Sequence, residues 1–228
     1  MSTPCARCAT STACTAYRGR CLRVAGLAGV VALAPVVRRR LLRWGATDTE
    51  LAVGLAGDDL LPHADLTATR AITVRAAASD VWPWVAQLGQ GRGGFYSYTA
   101  LENALGCDIH NADRIVEEWQ DVAVGDQVRL HPDVALEVAV VETGRTLVLR
   151  GAVPIGQKPP PYDFTWAFAV QDGPAGTSRL VVRERYAYDH ASVALLVEPV
   201  AVVSWVMSRR MLRGIRLRAE RAADAPAR

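Results

Sequence analysis

Glu184 is the strongest candidate for an acid–base residue, because it lies in a segment where apolar and aromatic residues occupy alternate positions. In a β-strand, successive side chains point to opposite faces. One face of segment 164–170 would carry Phe164, Trp166, Phe168 and Val170, and the matching face of segment 180–188 would carry Leu180, Val182, Glu184, Tyr186 and Tyr188. A carboxylate among such neighbours is desolvated, which prepares it for general acid–base catalysis. The alternative is a structural glutamate paired with an arginine such as Arg150 or Arg114.

A second group of polar side chains is concentrated in residues 107–113. His110, Cys107 and a nearby carboxylate could ligate a metal ion, and His110 alone could act as a general base. Asp108 and Asn111 are also typical of a loop held by its own Asx turns. We therefore expect no metal here and keep His110 as a candidate for proton transfer.

Residues 89–94 form a glycine-rich stretch that could bind a phosphate through free backbone amides. However, the stretch follows a predicted helix and lacks the Lys-Ser/Thr ending of a P-loop. A tight turn is the better interpretation, and contact of Arg92 with a lipid headgroup is the remaining alternative. Further along, Tyr98 and Glu102 are four residues apart and share a helix face. With Tyr96, they are candidates to line the entrance of a ligand site, or they lie on the surface.

Composition and missing motifs exclude several classes of protein. The chain has 228 residues, 50% hydrophobic and 21% charged, which is incompatible with a wholly disordered protein. No G-x-S-x-G, H-E-x-x-H, dinucleotide-binding or P-loop motif occurs in its required context. The hydrolase, zinc-protease, dehydrogenase and NTPase classes therefore lack support. We expect no cofactor and no metal.

The net charge of +3 conceals an asymmetry. Residues 1–43 hold eight arginines and no acid, residues 207–228 carry a net charge of +5, and the chain between them carries −10. An acidic body repels polyphosphates, so we expect no nucleic-acid partner. Each basic end borders an apolar segment, an arrangement typical of proteins at a lipid surface.

The N-terminal region contains an apolar segment that we expect to associate with a membrane. Its uninterrupted apolar stretch, 24–37, is shorter than the roughly 20 residues of a spanning helix. A thin-bilayer anchor, a signal-peptide core and a helix docked on the protein are therefore all open. The arginine distribution favours a body in the cytoplasm or on the cytoplasmic side of the membrane. Upstream, Cys5 and Cys8 could start a zinc site but have no matching second pair, so a disordered leader is the better interpretation.

Local patterns predict one strand, two short helices, about six strands and a long terminal helix. The predicted strands are 69–75, 115–119, 126–131, 135–142, 146–150, 164–171 and 179–188, and the predicted helices are 80–88, 95–105 and 191–221. Thr47 and Glu50 fit a capping box, and Pro199 should kink or restart the last helix.

This order resembles the START-like, or SRPBCC, superfamily, in an uncharacterised bacterial branch. The matching stretches are GQGRGGFYSYTALENALGCDIHNADRI (89–115), PYDFTWAF (161–168) and RERYAY (183–188). The resemblance implies an α+β helix-grip (Bet v 1-like) fold, in which a curved antiparallel sheet wraps a long C-terminal helix around a cavity. We divide the chain into a disordered leader (1–21), a membrane-associating segment (22–43), an acidic linker arm (44–66), the START-like domain (67–221) and a disordered tail (222–228).

The favoured function is binding or transport of a hydrophobic small molecule or lipid in that cavity, in association with a membrane. Superfamily members share a cavity but not a set of catalytic residues. The candidate ligand contacts are Arg92, Tyr96, Tyr98, Glu102, Trp119, Phe164, Trp166, Phe168 and Tyr186. The alternative is a polyketide cyclase or dehydratase in which Glu184 or His110 transfers protons. A third possibility is a protein-interaction module that uses the same groove.

Overall fold

The computed structural model describes residues 33–151 and 160–224. Predictions for the leader, its cysteines, most of the apolar segment and the last four residues lie outside the described residues. The chain divides into two compact units, Met1–Arg40 and Leu41–Arg228. In the first, the described residues 33–40 are helical (α1).

The second unit is built on one antiparallel sheet of six strands in the order β1-β6-β5-β4-β3-β2. The strands are β1 (Leu66–Val74), β2 (Gln127–His131), β3 (Val134–Glu142), β4 (Thr146–Gly151), β5 (Tyr162–Asp172) and β6 (Ser178–Tyr188). The helices are α2 (Asp48–Ala52), α3 (Ala78–Ala86), α4 (Thr99–Ala104) and the long α5 (Ala194–Asp224), which packs against β1 and α3. The predicted helix-grip fold is confirmed.

Two predicted elements differ from the structure. The predicted strand at 115–119 is wrong: Glu117–Trp119 is a short 3-10 helix, because two adjacent exposed acids interrupt the alternation that a half-buried strand needs. The predicted helix at 95–105 begins only at Thr99. Tyr96 has a positive φ of 55°, which an α-helix does not accommodate, so the chain turns before the helix starts.

The aromatic face of β5 and β6 points inward, as the alternation predicts. Phe164, Phe168, Val182 and Glu184 are all buried. The opposite face is covered by residues 44–65, which contain α2 and pack Ala46 and Leu55 against it.

This covering segment is fixed to the outer face of the sheet by ion pairs. Arg179 on β6 lies 2.6 Å from Glu50 of α2, and Arg183 lies 2.5 Å from Asp58. The predicted capping box is confirmed, because the Thr47 hydroxyl accepts from the Glu50 amide and the Glu50 carboxylate accepts from the Thr47 amide. The arginines on the outer face of β6 therefore position the segment that shields the sheet.

Most of the exposed apolar side chains of helix α5 lie in its first half, whereas its second half contributes more to the core. Met211, Leu212 and Ile215 in its second half are core residues. Among the described residues, α5 is the one helix that is long and apolar enough to cross a membrane. Its most apolar 18-residue stretch has a mean hydropathy of 1.8, and 22% of that stretch is buried. Pro199 lies inside α5 without ending it. Its missing amide leaves the carbonyl of Leu195 without a helical donor, but Leu195 is 83% exposed, so water can replace that bond.

The second half of α5 lies directly against the loop before α4. A side chain built on Gly214 would collide with the carbonyl oxygen of Tyr96 and come within 2.7 Å of its Cβ. Glycine is therefore required here by close approach, and it brings α5 near the loop that leads to Glu102.

Candidate functional site

A cavity of about 350 Å³ lies between the sheet and α5. Its volume is near the lower end of the range for ligand pockets, about 300–1,000 Å³. The wall is mostly apolar. It is lined by Phe95, Ser97, Glu102, Ile109, Leu130, Tyr162, Phe164, Trp166, Glu184, Tyr186, Val200, Ser204, Met207, Ser208 and Met211. Because Val200 is 46% exposed, the cavity reaches the surface beside it.

Glu184 forms a buried ion pair with Arg70 of β1. The Arg70 Nη1 atom lies 2.6 Å from the Glu184 Oε1 atom, and the two side chains are 0% and 4% exposed. In the β1–β6 register Arg70 is opposite Val182 and Ala68 is opposite Glu184. Arg70 and Glu184 are therefore diagonal neighbours on one face of the sheet. The sequence-based candidates for the partner, Arg150 and Arg114, were wrong because the strand pairing selects β1.

Hydroxyl groups complete the coordination of the Glu184 carboxylate. The Ser204 Oγ atom lies 2.7 and 2.6 Å from its two oxygens, and the Ser208 hydroxyl donates to Oε1 at 3.0 Å. The Tyr186 hydroxyl donates to Oε2 at 3.4 Å, and burial together with the nearby Glu184 charge raises the Tyr186 pKa. A charged, hydrogen-bonded patch is thus built into an apolar wall, where it can orient one end of a ligand.

A second carboxyl group in the cavity wall has a different environment. Glu102 on α4 is 8% exposed, and its Oε2 atom is buried without a hydrogen-bond partner among the described residues. Burial raises the pKa of Glu102. The same cavity therefore contains one compensated carboxylate, Glu184, and one uncompensated carboxyl group.

The structure brings together five of the predicted site residues. Phe164, Trp166, Tyr186, Glu102 and Glu184 all line the cavity. A sixth, Phe168, is fully buried beside Trp166 with a ring-centroid distance of 4.8 Å, and it supports the wall from outside the lining set.

Three other predicted residues lie away from the lining. The His110 side chain is 82% exposed and contacts Asp108, its close neighbour in the loop, so it does not reach the cavity. The guanidinium of Arg92 donates to the backbone carbonyls of Ala86 (3.1 Å) and Trp119 (2.5 Å). Arg92 and Trp119 therefore tie the glycine-rich loop to the following segment.

The two tyrosines near α4 are also outside the lining. Tyr96 is buried, its hydroxyl accepts from Gln87 at 3.0 Å, and its ring packs against Arg218. Tyr98 is 42% exposed, and the guanidinium of Arg210 lies 5.8 Å from its ring centre. Both side chains hold loop and helix together on the outside of the cavity.

Sequence reasoning missed three polar residues of the site: Arg70, Ser204 and Ser208. Two signals were present. Arg70 occupies an inward position of an alternating strand, and the serines are four residues apart on one face of an otherwise apolar helix segment. Neither signal identifies its partner without the strand register and the docking of α5.

No group of three or more His, Cys, Asp or Glu side chains that could hold a metal ion occurs within residues 33–151 and 160–224. Cys107 is half-buried, and burial raises the pKa of its thiol, as does the charge of Glu102.

Comparison with known proteins shows similarity of the fold only. No protein-family model and no curated protein matches the chain. Three solved structures illustrate the structural likeness. Truncated norcoclaurine synthase from Thalictrum flavum is 13% identical with a TM-score of 0.43, over 70% of this chain and 94% of that one. The Zhui aromatase/cyclase from Streptomyces sp. R1128 is 14% identical with a TM-score of 0.40, over 70% and 96%. Protein MLL2253 from Mesorhizobium loti is 12% identical with a TM-score of 0.41, over 68% and 98%.

Proposed function

We propose that the protein binds a compact hydrophobic small molecule or a single-chain lipid in the cavity between the sheet and α5. The observation that carries this proposal is the cavity of about 350 Å³, which has an aromatic wall and one hydrogen-bonded polar patch around Glu184. Burial of the apolar body supplies affinity at about 25 cal/mol per Å² of area removed from water. The small volume favours a ring system or one chain over a two-chain phospholipid.

Obstruction of the cavity mouth tests this proposal. Val200 lines the cavity, whereas Val202, on the same helix and equally exposed (46% and 47%), is outside the lining. We expect Val200→Trp to weaken binding of 2-naphthylmethanol, measured by calorimetry, by about tenfold, whereas the matched control Val202→Trp leaves it unchanged. Native mass spectrometry of the purified full chain should detect a bound small molecule. An empty cavity with no probe binding, or equal effects of both variants, would contradict the proposal.

The same proposal places ligand exchange at an anionic membrane surface, on its cytoplasmic side. The first half of α5 exposes apolar side chains beside the cavity mouth, among them Leu195 (83%) and Val203 (60%). Three arginines follow at positions 209, 210 and 213, and Glu198 is the acidic residue of segment 191–213. At an anionic lipid surface, the exposed apolar side chains can enter the acyl region while the arginines contact the negatively charged headgroups. The predicted role of residues 22–43 in membrane association remains a prediction.

Vesicle sedimentation tests the membrane part. The full chain should sediment with phosphatidylcholine vesicles that contain phosphatidylglycerol, and less with phosphatidylcholine alone. Replacing Leu195 and Val203 by Asp should reduce the bound fraction several-fold, because the charges must enter the apolar region. The matched control is Leu217→Asp, since Leu217 is also exposed (46%) but lies in the second half of α5. Equal sedimentation of the double variant and the control would contradict the role of this surface.

A polyketide cyclase or dehydratase activity is the second candidate. It is favoured by the Glu184 carboxylate, which faces the cavity and is hydrogen-bonded to Ser204 and Ser208, a set that can transfer protons on a bound polyketone. Glu184→Gln should then abolish turnover of a model polyketone, and because it leaves Arg70 without its anion, thermal unfolding must show that the variant is folded. Unchanged turnover would exclude Glu184 as the acid–base group.

A further inference from the structure

Glu102 lies in the cavity wall without the partners that a buried carboxyl group requires. Its neighbours in the lining include Phe95, Ile109 and Met207, all without charge. Glu102 is only 8% exposed. Its Oε2 atom has no hydrogen-bond donor within the described parts of the chain. A buried unpaired carboxyl group destabilises the free protein, so its presence requires an explanation.

The charges of the cavity do not balance around Glu102. Glu184 is compensated by Arg70, which lies behind the wall. Among residues 33–151 and 160–224, the lining contains both carboxyl groups but no lysine, arginine or histidine. Within residues 33–151 and 160–224, no ion pair includes Glu102. One positive charge is therefore missing from the inner surface, and a ligand can supply it.

We propose that Glu102 is the ionic anchor for a ligand that joins a compact apolar body to a basic amine. This inference rests on the proposed function and names its substrate class. The ammonium group donates to the free Oε2 atom, and the apolar body lies against the aromatic wall of β5. An anionic headgroup, such as that of a fatty acid, is disfavoured because, among the described residues of the lining, it would meet two carboxyl groups and no cation.

Three probes with the same naphthyl body separate these contributions: 2-naphthylmethylamine, 2-naphthylmethanol and 2-naphthoic acid. Calorimetry with the full chain should show that the amine binds about tenfold more tightly than the alcohol, because its ammonium group adds a charge-assisted hydrogen bond to Glu102. The acid should bind most weakly. In Glu102→Gln the advantage of the amine over the alcohol should disappear, measured as the ratio of the two affinities for the same variant.

Glu118→Gln is the matched control, because Glu118 is exposed on the 3-10 helix before β2 and lies outside the cavity lining. It should retain the amine preference. Thermal unfolding of each variant establishes that it is folded. The proposal is overturned if the alcohol binds as tightly as the amine, or if Glu102→Gln keeps the preference, and in both cases the proposed binding function stands. If none of the three probes binds, the proposed function fails together with this inference.

Discussion

The guanidinium of Arg70 and the carboxylate of Glu184 lie 2.6 Å apart and are almost completely buried, with the carboxylate in the cavity wall and the guanidinium behind it. They come from strands that are 114 residues apart in the chain. A charge pair in this position needs both members, because either one alone would be an uncompensated buried charge.

Arg70→Met should reduce the free energy of unfolding by about 3–5 kcal/mol, because it leaves the Glu184 carboxylate without its cation. The double variant with Glu184→Met should recover most of that loss, since two apolar side chains of similar volume replace the pair. Urea unfolding of the single and double variants measures both effects. Arg145→Met is the control, because Arg145 forms an exposed ion pair with Glu142, and loss of that pair should hardly change the free energy of unfolding. A double variant as unstable as Arg70→Met would contradict this account.

Gly214→Ala should destabilise the fold by about 1–3 kcal/mol, because its methyl group would collide with the Tyr96 backbone. Gly54 is the matched control, since a side chain built there meets no atom within 4 Å and its φ is not positive. Gly54→Ala should be neutral or slightly stabilising because it reduces the entropy of the unfolded chain. Thermal unfolding of the two variants makes the comparison, and equal effects would show that α5 does not approach the loop so closely.

The contact between Glu50 and Arg179 should make stability fall at acid pH. Burial alone would raise the pKa of Glu50, but hydrogen bonds from Arg179 and from the Thr47 amide, with the Arg179 charge, hold it below its ordinary value. The stabilisation is therefore present above the pKa of the unfolded chain and is lost as pH falls through the lower folded-state pKa. Glu50→Gln should cost about 1 kcal/mol at neutral pH.

Denaturant unfolding of wild type and Glu50→Gln from pH 7 to pH 3 tests this dependence. The difference between the two proteins should shrink at the acid end, where the wild-type carboxylate is protonated. A difference that is constant across the range would show that the contribution of Glu50 is not ionic.

Glu102 should have the opposite effect on stability. Burial raises its pKa, so the folded state binds the proton more tightly than the unfolded chain does. Its contribution is most favourable below the pKa of the unfolded carboxyl group and is lost as pH rises through the window up to the folded-state pKa. Without ligand, Glu102→Gln should therefore raise the unfolding temperature at neutral pH relative to wild type.

Thermal unfolding between pH 4 and pH 8 measures this effect. The exposed control Glu118→Gln should follow the wild-type curve. The other ionisable side chains described in the cavity lining are Glu184, Tyr162 and Tyr186. The charge of Glu102 also acts on the Cys107 thiol, so the profiles are compared with Cys107→Ser. A Glu102→Gln curve parallel to wild type at every pH would contradict an unpaired carboxyl group at this position.

The order of the elements and the inward face of two strands followed from local sequence patterns. Alternation in β5 and β6 placed Phe164, Phe168 and Glu184 on the face toward α5, which the structure confirms, because Phe164 and Glu184 line the cavity and Phe168 belongs to the main core. Side-chain period is a local property of the backbone, so it can be read from a single segment. The prediction of a strand at 115–119 was wrong, because five residues that include two adjacent acids are too few to show a reliable alternation of apolar and polar side chains.

What surrounds those side chains was decided by the tertiary structure. The sequence placed a carboxylate among aromatic residues, but the pairing of β1 with β6 selected Arg70 as its partner, and the docking of α5 brought Ser204 and Ser208 to it. The uncompensated state of Glu102 likewise depends on which elements enclose it. The register joins Arg70 to Glu184 across 114 residues, and α5 docks on β1 and α3, which precede it by more than a hundred residues. The energies of both are sums over many contacts that no local pattern contains.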